Sequence, residues 1–514
     1  MDSAIPSTGD FEGWLAASAA VGKAVLEDFS NPLVVHHYDC DGIASGSVVL
    51  NALMRAKTPH SSMMLKRVDA EGMARVAKIA AGEVEKPVAG CANAAASGVQ
   101  ETGRRDVVFV DLGSGQISMV EERLLSLGVK VAVIDHHVPQ KPVESGRLLH
   151  ANCMLHGFDG SLDACAASTA FYCFKDARWA NAISGEGRDN WDLSRLAIVG
   201  AVGDMQTDVN GLRSLNGWVA AEAEKRGFLR MKRDLRMFGR VSRGLVDFLQ
   251  YSTEPFLPGL TGSAKNCALF LADRGIPVQD GAGKPLHYND LGTEEQRRLA
   301  SALVNYAYSR KMEEEAVGEI VGVVFEFPSE ERHSELFDAS EFSTLLNACG
   351  RHGKIEVGVR VCLNEKGALE EAREVLKLHR MMISQGVFYA RQHTIDLGPF
   401  YFLDARGKIE DTVVGTVIGN FFSSGILART KPIIGFSIDE ENGGVKASAR
   451  AGKKLVEKGY DVNLVMRGAA SAVGGLGGGH KTASGASFPL GKENDFLKKC
   501  KEVLEAQVRN FPPS

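Results

Sequence analysis

Four stretches of this chain share one design, a continuous apolar run that ends abruptly in Asp or His. Val34-Val35-His36-His37-Tyr38-Asp39-Cys40-Asp41-Gly42 leaves its run at His37, Asp39 and Asp41, and Asp106-Val107-Val108-Phe109-Val110-Asp111 leaves it at Asp111. Val133-Ile134-Asp135-His136-His137 ends in a carboxylate and two imidazoles, and Leu196-Ala197-Ile198-Val199-Gly200-Ala201-Val202-Gly203-Asp204 ends in Asp204. A run without polar alternation is what a parallel strand covered on both faces requires, so each stretch is predicted as a buried strand. In the first, a spacing of two puts His37, Asp39 and Asp41 on one face of an extended chain, with His36, Tyr38 and Cys40 pointing away. One Asp-His-His triplet is ordinary surface sequence; four copies of one plan are not.

The connections fit the same scheme. Apolar residues at 117, 120, 124 and 127, closed by Gly128, predict an amphipathic crossover helix, and residues 43–53 predict another. A strand-loop-helix repeat implies an α/β fold with a doubly wound parallel sheet, whose ligands bind beyond the carboxyl ends of the strands. All four polar clusters fall there. Further on, 355–363, 399–403 and 432–438 read as strands and 368–385 and 411–422 as helices, with Asp411 as a helix cap, giving a smaller second α/β domain. The expected divisions are a catalytic domain at 20–225, a helical middle region at 226–315 and the smaller domain at 316–508. An Ala/Gly/Ser-rich stretch at 81–103 reads as a mobile loop inserted between two strands, and the tail at 511–514 reads as loose.

Six ligand-type residues at one sheet edge, His37, Asp39, Asp41, Asp111, His136 and Asp204, are too many for one ion and suit two. Carboxylate oxygen mixed with imidazole nitrogen favours Mn²⁺, Co²⁺ or Zn²⁺ over the all-oxygen preferences of Mg²⁺ and Ca²⁺. Two such ions about 3.5 to 4 Å apart can hold a hydroxide and steady both oxygens of an in-line phosphoryl displacement. The chemistry predicted is phosphoester hydrolysis.

The segments His37-x-Asp39-x-Asp41-Gly42, Val110-Asp111-Leu112-Gly113, Asp135-His136-His137 and Gly203-Asp204-Met205 resemble the four motifs of the DHH phosphoesterase superfamily. Gly474-Gly475-Leu476-Gly477-Gly478-Gly479-His480 resembles the glycine-rich motif of the DHH-associated carboxy-terminal domain. Within the superfamily the chain is most similar to archaeal RecJ-like exonucleases, the GINS-associated nucleases, over residues 20–508. The resemblance implies that His37 and Asp39 hold one metal, that Asp111 bridges, and that Asp41, His136 and Asp204 hold the other. It implies two divalent ions, Mn²⁺ first with Mg²⁺ or Co²⁺ as alternatives. It also gives His137 to the scissile phosphate, with Asp135 behind it orienting the histidines. Gly478 and Gly479, lacking Cβ atoms, let backbone amides approach a phosphate; His480 adds a donor, and Arg450 beside Ser448 can pair with a neighbouring phosphate.

Composition sets the limits. At 514 residues, 44% hydrophobic and 24% charged, the chain suits a globular protein of two or three domains. Nine scattered cysteines without a close pair fit a reducing cytoplasm, and the amino terminus shows neither a signal peptide nor a membrane span. The net charge of −5 gives no global nucleic-acid signature. Locally, residues 225–243 carry eight basic residues against Asp234, with Phe228 and Phe238 interleaved. Such a segment either tracks a phosphate backbone with a stacking aromatic or is a solvated helix whose phenylalanines join the core.

The expected function is a metal-dependent exonuclease acting on the end of single-stranded DNA or RNA in replication or repair. The terminal nucleotide would lie between the two domains. Two alternatives stand beside it: a replisome scaffold that binds a GINS subunit, and a small-molecule phosphodiesterase or pyrophosphatase.

Overall fold

The computed structural model describes residues 9–83, 103–141, 145–180, 187–253, 255–312, 314–424, 426–439 and 443–510. The chain forms two compact units, Met1–Phe248 with Ala268–Leu376, and Leu249–Cys267 with Lys377–Ser514. The loop expected at 81–103 lies almost wholly, and the 511–514 tail wholly, outside the described residues.

The first unit is built on five strands, β1 (Leu33–His36), β2 (Ser61–Met64), β3 (Val107–Val110), β4 (Val131–Asp135) and β5 (Leu148–Asn152), in the order β2-β1-β3-β4-β5. Every pairing is parallel. Val34, Val108, Val110, Ala132 and Ile134 face one core; Leu33, Val35, Val107, Phe109, Val131 and Val133 face the opposite one. Burial on both sides is why these strands carry no polar alternation. Helices α1 (Phe11–Glu27), α2 (Cys40–Arg55), α5 (Ala166–Phe174) and α6 (Ser194–Gly203) contribute to the first core, and α3 (Ala70–Ala81) and α4 (Ile117–Arg123) to the second. The chain steps from β1 outward to β2, then returns to β3 on the other side of β1. The crevice at the carboxyl ends of β1 and β3 is therefore the topological switch point, where open parallel sheets bind ligands.

Several expectations need correction. Residues 196–204 are not a fourth strand but helix α6, packed against α2, α5 and the helix Ala339–Arg351. A helix buried on all sides has no polar face, so its apolar run reads like that of a buried strand. Gly200 permits the packing: a Cβ there would stand 2.4 Å from the Ala167 Cβ and 2.5 Å from Asp41 Oδ1. Residues 355–363 are likewise the helix Ile355–Cys362, not a strand; apolar residues at every second position imitate a strand, while Glu356 and Arg360, four apart, share the half-exposed face of the helix. The first motif is not one extended face either. β1 stops at His36; Asp39 is the N-cap of α2, accepting from the Gly42 amide at 3.0 Å, and Asp41 lies in its first turn. The 117–127 helix is broken into α4 and a 3₁₀ turn, Leu125–Leu127, which Gly128 ends at φ +79°.

The basic stretch at 225–243 is not a helix at its centre. It contains the strand Arg230–Leu235, antiparallel to Val321–Glu326, while Phe228 packs on the core. Its central cations serve internal carboxylates: Lys232 lies 2.8 Å from Asp234 and 3.0 Å from Glu326, and the fully buried Arg240 donates to Glu326 at 2.9 Å and Asp338 at 2.8 Å.

The second unit carries a six-stranded sheet in the order Ile395–Asp396, Tyr401–Asp404, Ile433–Asp439, Gly444–Arg450, Ala483–Phe488, Leu476–Gly479. Only Tyr401–Asp404 and Ile433–Asp439 pair in parallel. The glycine-rich motif, read as a loop, is in fact an edge strand over Leu476–Gly479. The helix expected at 411–422 is Val414–Ser423, and Asp411 does not cap it; its carboxylate lies 3.5 Å from Lys446 Nζ on a neighbouring strand.

Candidate metal centre

The carboxyl ends of β1 and β3 bring His37 and Asp111 together. His37 Nδ1 lies 3.0 Å from Asp39 Oδ2 and 3.3 Å from Asp111 Oδ2, while Nε2 donates to the Lys66 carbonyl at 3.2 Å. Asp111, the residue after β3, is held at φ +62°, a left-handed conformation that costs an L-residue about 1–2 kcal/mol. That turn aims its buried carboxylate across the crevice, with Oδ1 3.3 Å from His136 Nε2. His136 follows β4. Its Nδ1 donates to the Gly160 carbonyl at 2.6 Å, and its Nε2 lies 3.8 Å from Asp41 Oδ2. Asp204, the C-cap of α6, brings Oδ2 to 3.8 Å from the His136 ring.

The ligand-type residues thus form two trios, His37 with Asp39 and Asp111, and Asp41 with His136 and Asp204; within each, one candidate ligand atom per residue lies within 4.8 Å of the others. Asp111 faces both. The second trio also has its own supports. Asp41 accepts from the amides of Ala166 at 2.7 Å and Ala167 at 2.9 Å, the first two residues of α5. Gln206 Nε2 donates to Asp204 Oδ2 at 2.8 Å and to the Gly160 carbonyl at 2.9 Å, and Asn216 holds Gln206 through its Oε1 at 2.7 Å.

The electrostatics are those of crowded negative charge. Burial, then the charge of Asp111, pushes Asp41 up to about 8. Burial works against protonation of His37 and His136, yet the surrounding carboxylates, Asp39 and Asp111 for the former and Asp111, Asp204 and Asp41 for the latter, raise both well above the ordinary imidazole value. Burial also opposes the charge on Asp39, but His37 and the Gly42 amide hold it below its ordinary range.

Two observations fit this donor set to divalent cations. Asp111 Oδ1 is buried without a hydrogen-bond partner, its approach to His136 having the wrong geometry for one. A backbone carbonyl can only accept, so each of His37 and His136 spends one N–H on a carbonyl and directs its other ring nitrogen at the carboxylates, where a cation in place of the second proton would find the usual arrangement of a metal-ligating imidazole.

Asp135 and His137 form a third group of candidate ligands with Asp111 and His136. Asp135 is fully buried at the end of β4 and accepts from the Ser114 amide at 3.0 Å, the His136 amide at 2.8 Å and His137 Nδ1 at 2.8 Å. Burial opposes its ionisation, but the bond from His137 and the His137 charge keep it well below its ordinary range. The His137 side chain is 58% exposed, and the bond to Asp135 raises its pKa.

In the second unit, strand register sets the candidate anion-binding residues in adjacent rows. Ser448 pairs with Gly485, which pairs in turn with Gly478; Arg450 pairs with Ala483, whose carbonyl accepts from the His480 amide at 2.8 Å. Gly479 pairs with Ser484, whose hydroxyl donates to the Gly478 carbonyl at 2.6 Å. A Cβ on Gly415, in the first turn of the helix Val414–Ser423, would stand 2.9 Å from Arg450 Nη2 and 3.4 Å from Ser448 Oγ, so Arg450 lies along that helix.

Sequence reasoning missed Gln206, Asn216 and the carbonyls of Gly160 and Lys66. Only Gln206, two residues beyond Asp204, had a position that could have drawn notice.

Comparison with known proteins identifies three domains along the chain. The DHH family, N-terminal domain, matches residues 31–193, the DHH-CID domain 237–321 and the DHHA1 domain 405–506. An uncharacterized protein of Methanocaldococcus jannaschii, MJ0831, is 26% identical over 500 residues, covering 95% of this chain and 97% of that one. RecJ from Thermus thermophilus in complex with Mn²⁺ superposes with a TM-score of 0.53 at 14% identity, over 96% of this chain and 55% of that one. This chain therefore spans little more than half the length of that RecJ. An exonuclease RecJ bound to manganese gives 0.51 at 14% identity, with 97% of both chains covered. CDC45 from Entamoeba histolytica gives 0.56 at 12% identity, over 96% of this chain and 98% of that one. At such identities the structures establish a common fold, and the three family matches, in this order, show a chain built from a DHH N-terminal domain, a DHH-CID domain and a DHHA1 domain.

Proposed function

We propose that the protein is an exonuclease that hydrolyses the terminal phosphodiester of single-stranded DNA or RNA, using two divalent ions. The observation that carries this reading is Asp111, whose two carboxylate oxygens face two separate trios and whose Oδ1 is buried without a partner. His37 and Asp39 would hold one ion, Asp41, His136 and Asp204 the other, and Asp111 both. Bound there, the pair would supply an activated hydroxide and charge stabilisation for the phosphoryl group. Mn²⁺ fits the mixed oxygen and nitrogen donors, with Mg²⁺ and Co²⁺ as alternatives.

The chain's own groups do the rest. His137 Nδ1 donates to Asp135, which fixes the ring and leaves Nε2 to give a proton to the leaving oxygen. Asp135, spent on four donors, acts by positioning. In the second unit Ser448, Arg450, Gly478, Gly479 and His480 offer a guanidinium, a hydroxyl and open backbone on neighbouring rows, a surface suited to the phosphates of a nucleic-acid end.

The test is digestion of single-stranded DNA and RNA, labelled at the 5′ or the 3′ end, with Mn²⁺ and with Mg²⁺, beside a blunt duplex, pyrophosphate and a cyclic dinucleotide. Stepwise loss of mononucleotides from single strands is expected, abolished in Asp135→Ala and Asp204→Ala. Hydrolysis of the small molecules alone would replace this reading. A GINS-binding role is a second reading, favoured by the fold shared with CDC45. Retention of a GINS subunit by wild type and Asp111→Ala alike would make the two roles separable.

A further inference from the structure

Among the described residues, the large apolar side chains most exposed to solvent are Met205 at 85%, Leu476 at 80% and Val138 at 73%. A scattered exposed hydrophobe is ordinary on a protein surface. Each of the three stands next to a candidate site residue along the chain: Met205 follows Asp204, Val138 follows His137, and Leu476 stands two residues before Gly478.

Met205 and Val138 belong to the unit that carries the metal centre. Met205 is also held at φ +60°, a left-handed conformation in which glycine would sit without strain. The turn is fixed, since the Met205 amide donates to the Val202 carbonyl at 3.2 Å and the Gln206 amide to the Ala201 carbonyl at 3.0 Å. The fold therefore keeps a long thioether in solvent, off the end of α6, beside a carboxylate of the centre. Val138 stands in the same relation to His137, whose carbonyl is clamped by Asn152 Nδ2 at 2.9 Å. The ligands themselves are all ionisable, so apolar neighbours suit the uncharged part of a substrate whose phosphate is engaged.

We infer that Met205 and Val138 form an apolar seat for the base and sugar of the nucleotide whose phosphate is cleaved. Val138 has no polar atom and Met205 only a weakly accepting thioether sulfur, so the seat senses the presence of a base and not its identity. This rests on the nuclease reading and adds what the site grips besides phosphate.

The test compares single-stranded oligonucleotides ending in dA, dC, dG or dT with the same strands ending in an abasic nucleotide, at either terminus. Met205→Ala is expected to raise KM about tenfold on every ordinary end, the worth of burying one such side chain. Turnover should stay close to wild type, Met205→Leu should restore KM, and the effect of Met205→Ala should vanish on abasic ends. Val138→Ala should act in the same direction. An unchanged KM in Met205→Ala, or an equal loss on abasic and ordinary ends, overturns the inference. Wild-type protein that digests none of these strands overturns the nuclease reading instead, and the inference with it.

Discussion

The backbone amide of Ala166 donates to Asp41 Oδ2 at 2.7 Å, so the first residue of α5 orients a carboxylate in the first turn of α2. Helix N-termini carry unsatisfied amides and a partial positive charge, and here both bear on a single buried anion. They offset part of the effect of burial, and then of repulsion from Asp111, that pushes Asp41 up to about 8.

Asp41→Asn should separate these opposing effects. The substitution relieves like-charge repulsion but leaves one of the two α5 amides facing an NH₂ group, a loss of about 1 kcal/mol. In EDTA the melting temperature should therefore move little. Added Mn²⁺ should raise the wild-type melting temperature, by the equivalent of about 2.7 kcal/mol at a metal concentration 100-fold above Kd, and should raise that of the variant much less. An equal metal-induced rise in both proteins would remove Asp41 from the ligand set.

Glu341 supplies a pH dependence away from the centre. It is buried beside Asp338 and accepts from the amides of Val241 at 2.9 Å and Ser242 at 3.3 Å. Burial, then the Asp338 charge, raises its pKa to about 7. A carboxyl whose folded pKa is raised contributes stability that is complete below its unfolded pKa and is lost as pH rises through the folded one. Glu341→Gln should therefore gain on wild type between pH 5 and 8, by up to about 3 kcal/mol. Urea midpoints at the two pH values measure the gain; a constant difference would mean that Glu341 is ionised throughout.

The parallel sheet was legible in the sequence because Val107–Val110 and Val131–Asp135 are covered on both faces, and continuous apolar runs record that directly. The same signal misled at Ser194–Gly203, a helix so buried that almost no polar face marks its period, whereas Ile355–Cys362 misled by alternation, its apolar residues 355, 357, 359 and 361 recurring every second position although Glu356 and Arg360 share one helix face. The candidate ligands were legible because each ends an apolar run, whatever element delivers it. Asp41 illustrates this: the spacing that suggested one strand face with His37 and Asp39 belongs to a helix start, which turns Asp41 toward His136 and away from its sequence neighbours. Gln206, Asn216 and the Gly160 carbonyl were illegible because their contacts bring together residues up to 46 positions apart.

Arg240 carries a stability prediction. Its guanidinium is buried among Glu326, Asp338 and Asp234. Arg240→Ala leaves the buried Asp338 without its cation, with Asp234 and Glu326 still facing Lys232, which costs about 3–5 kcal/mol. Loss of folded protein at 37 °C, or a melting temperature lowered by about 10 °C, is the expected outcome. A change below about 2 °C would show that water reaches the cluster.

The glycine-rich strand separates what the fold needs from what a ligand would need. A Cβ on Gly477 would stand 2.5 Å from the Met466 carbonyl oxygen and one on Gly475 2.4 Å from that of Ser487, whereas a Cβ on Gly478 meets nothing within 4 Å. Gly477→Ala should therefore destabilise the second unit, while Gly478→Ala should fold and melt like wild type. If the open Gly478 backbone is where a phosphate approaches, the added methyl occupies that space, and kcat/KM on oligonucleotides should fall about tenfold or more without any change in Mn²⁺ affinity. Thermal melts, metal titration and nuclease rates on the one variant decide the matter. Full activity in Gly478→Ala would leave the glycines with a packing role alone and would move the proposed phosphate contact to Arg450 and His480.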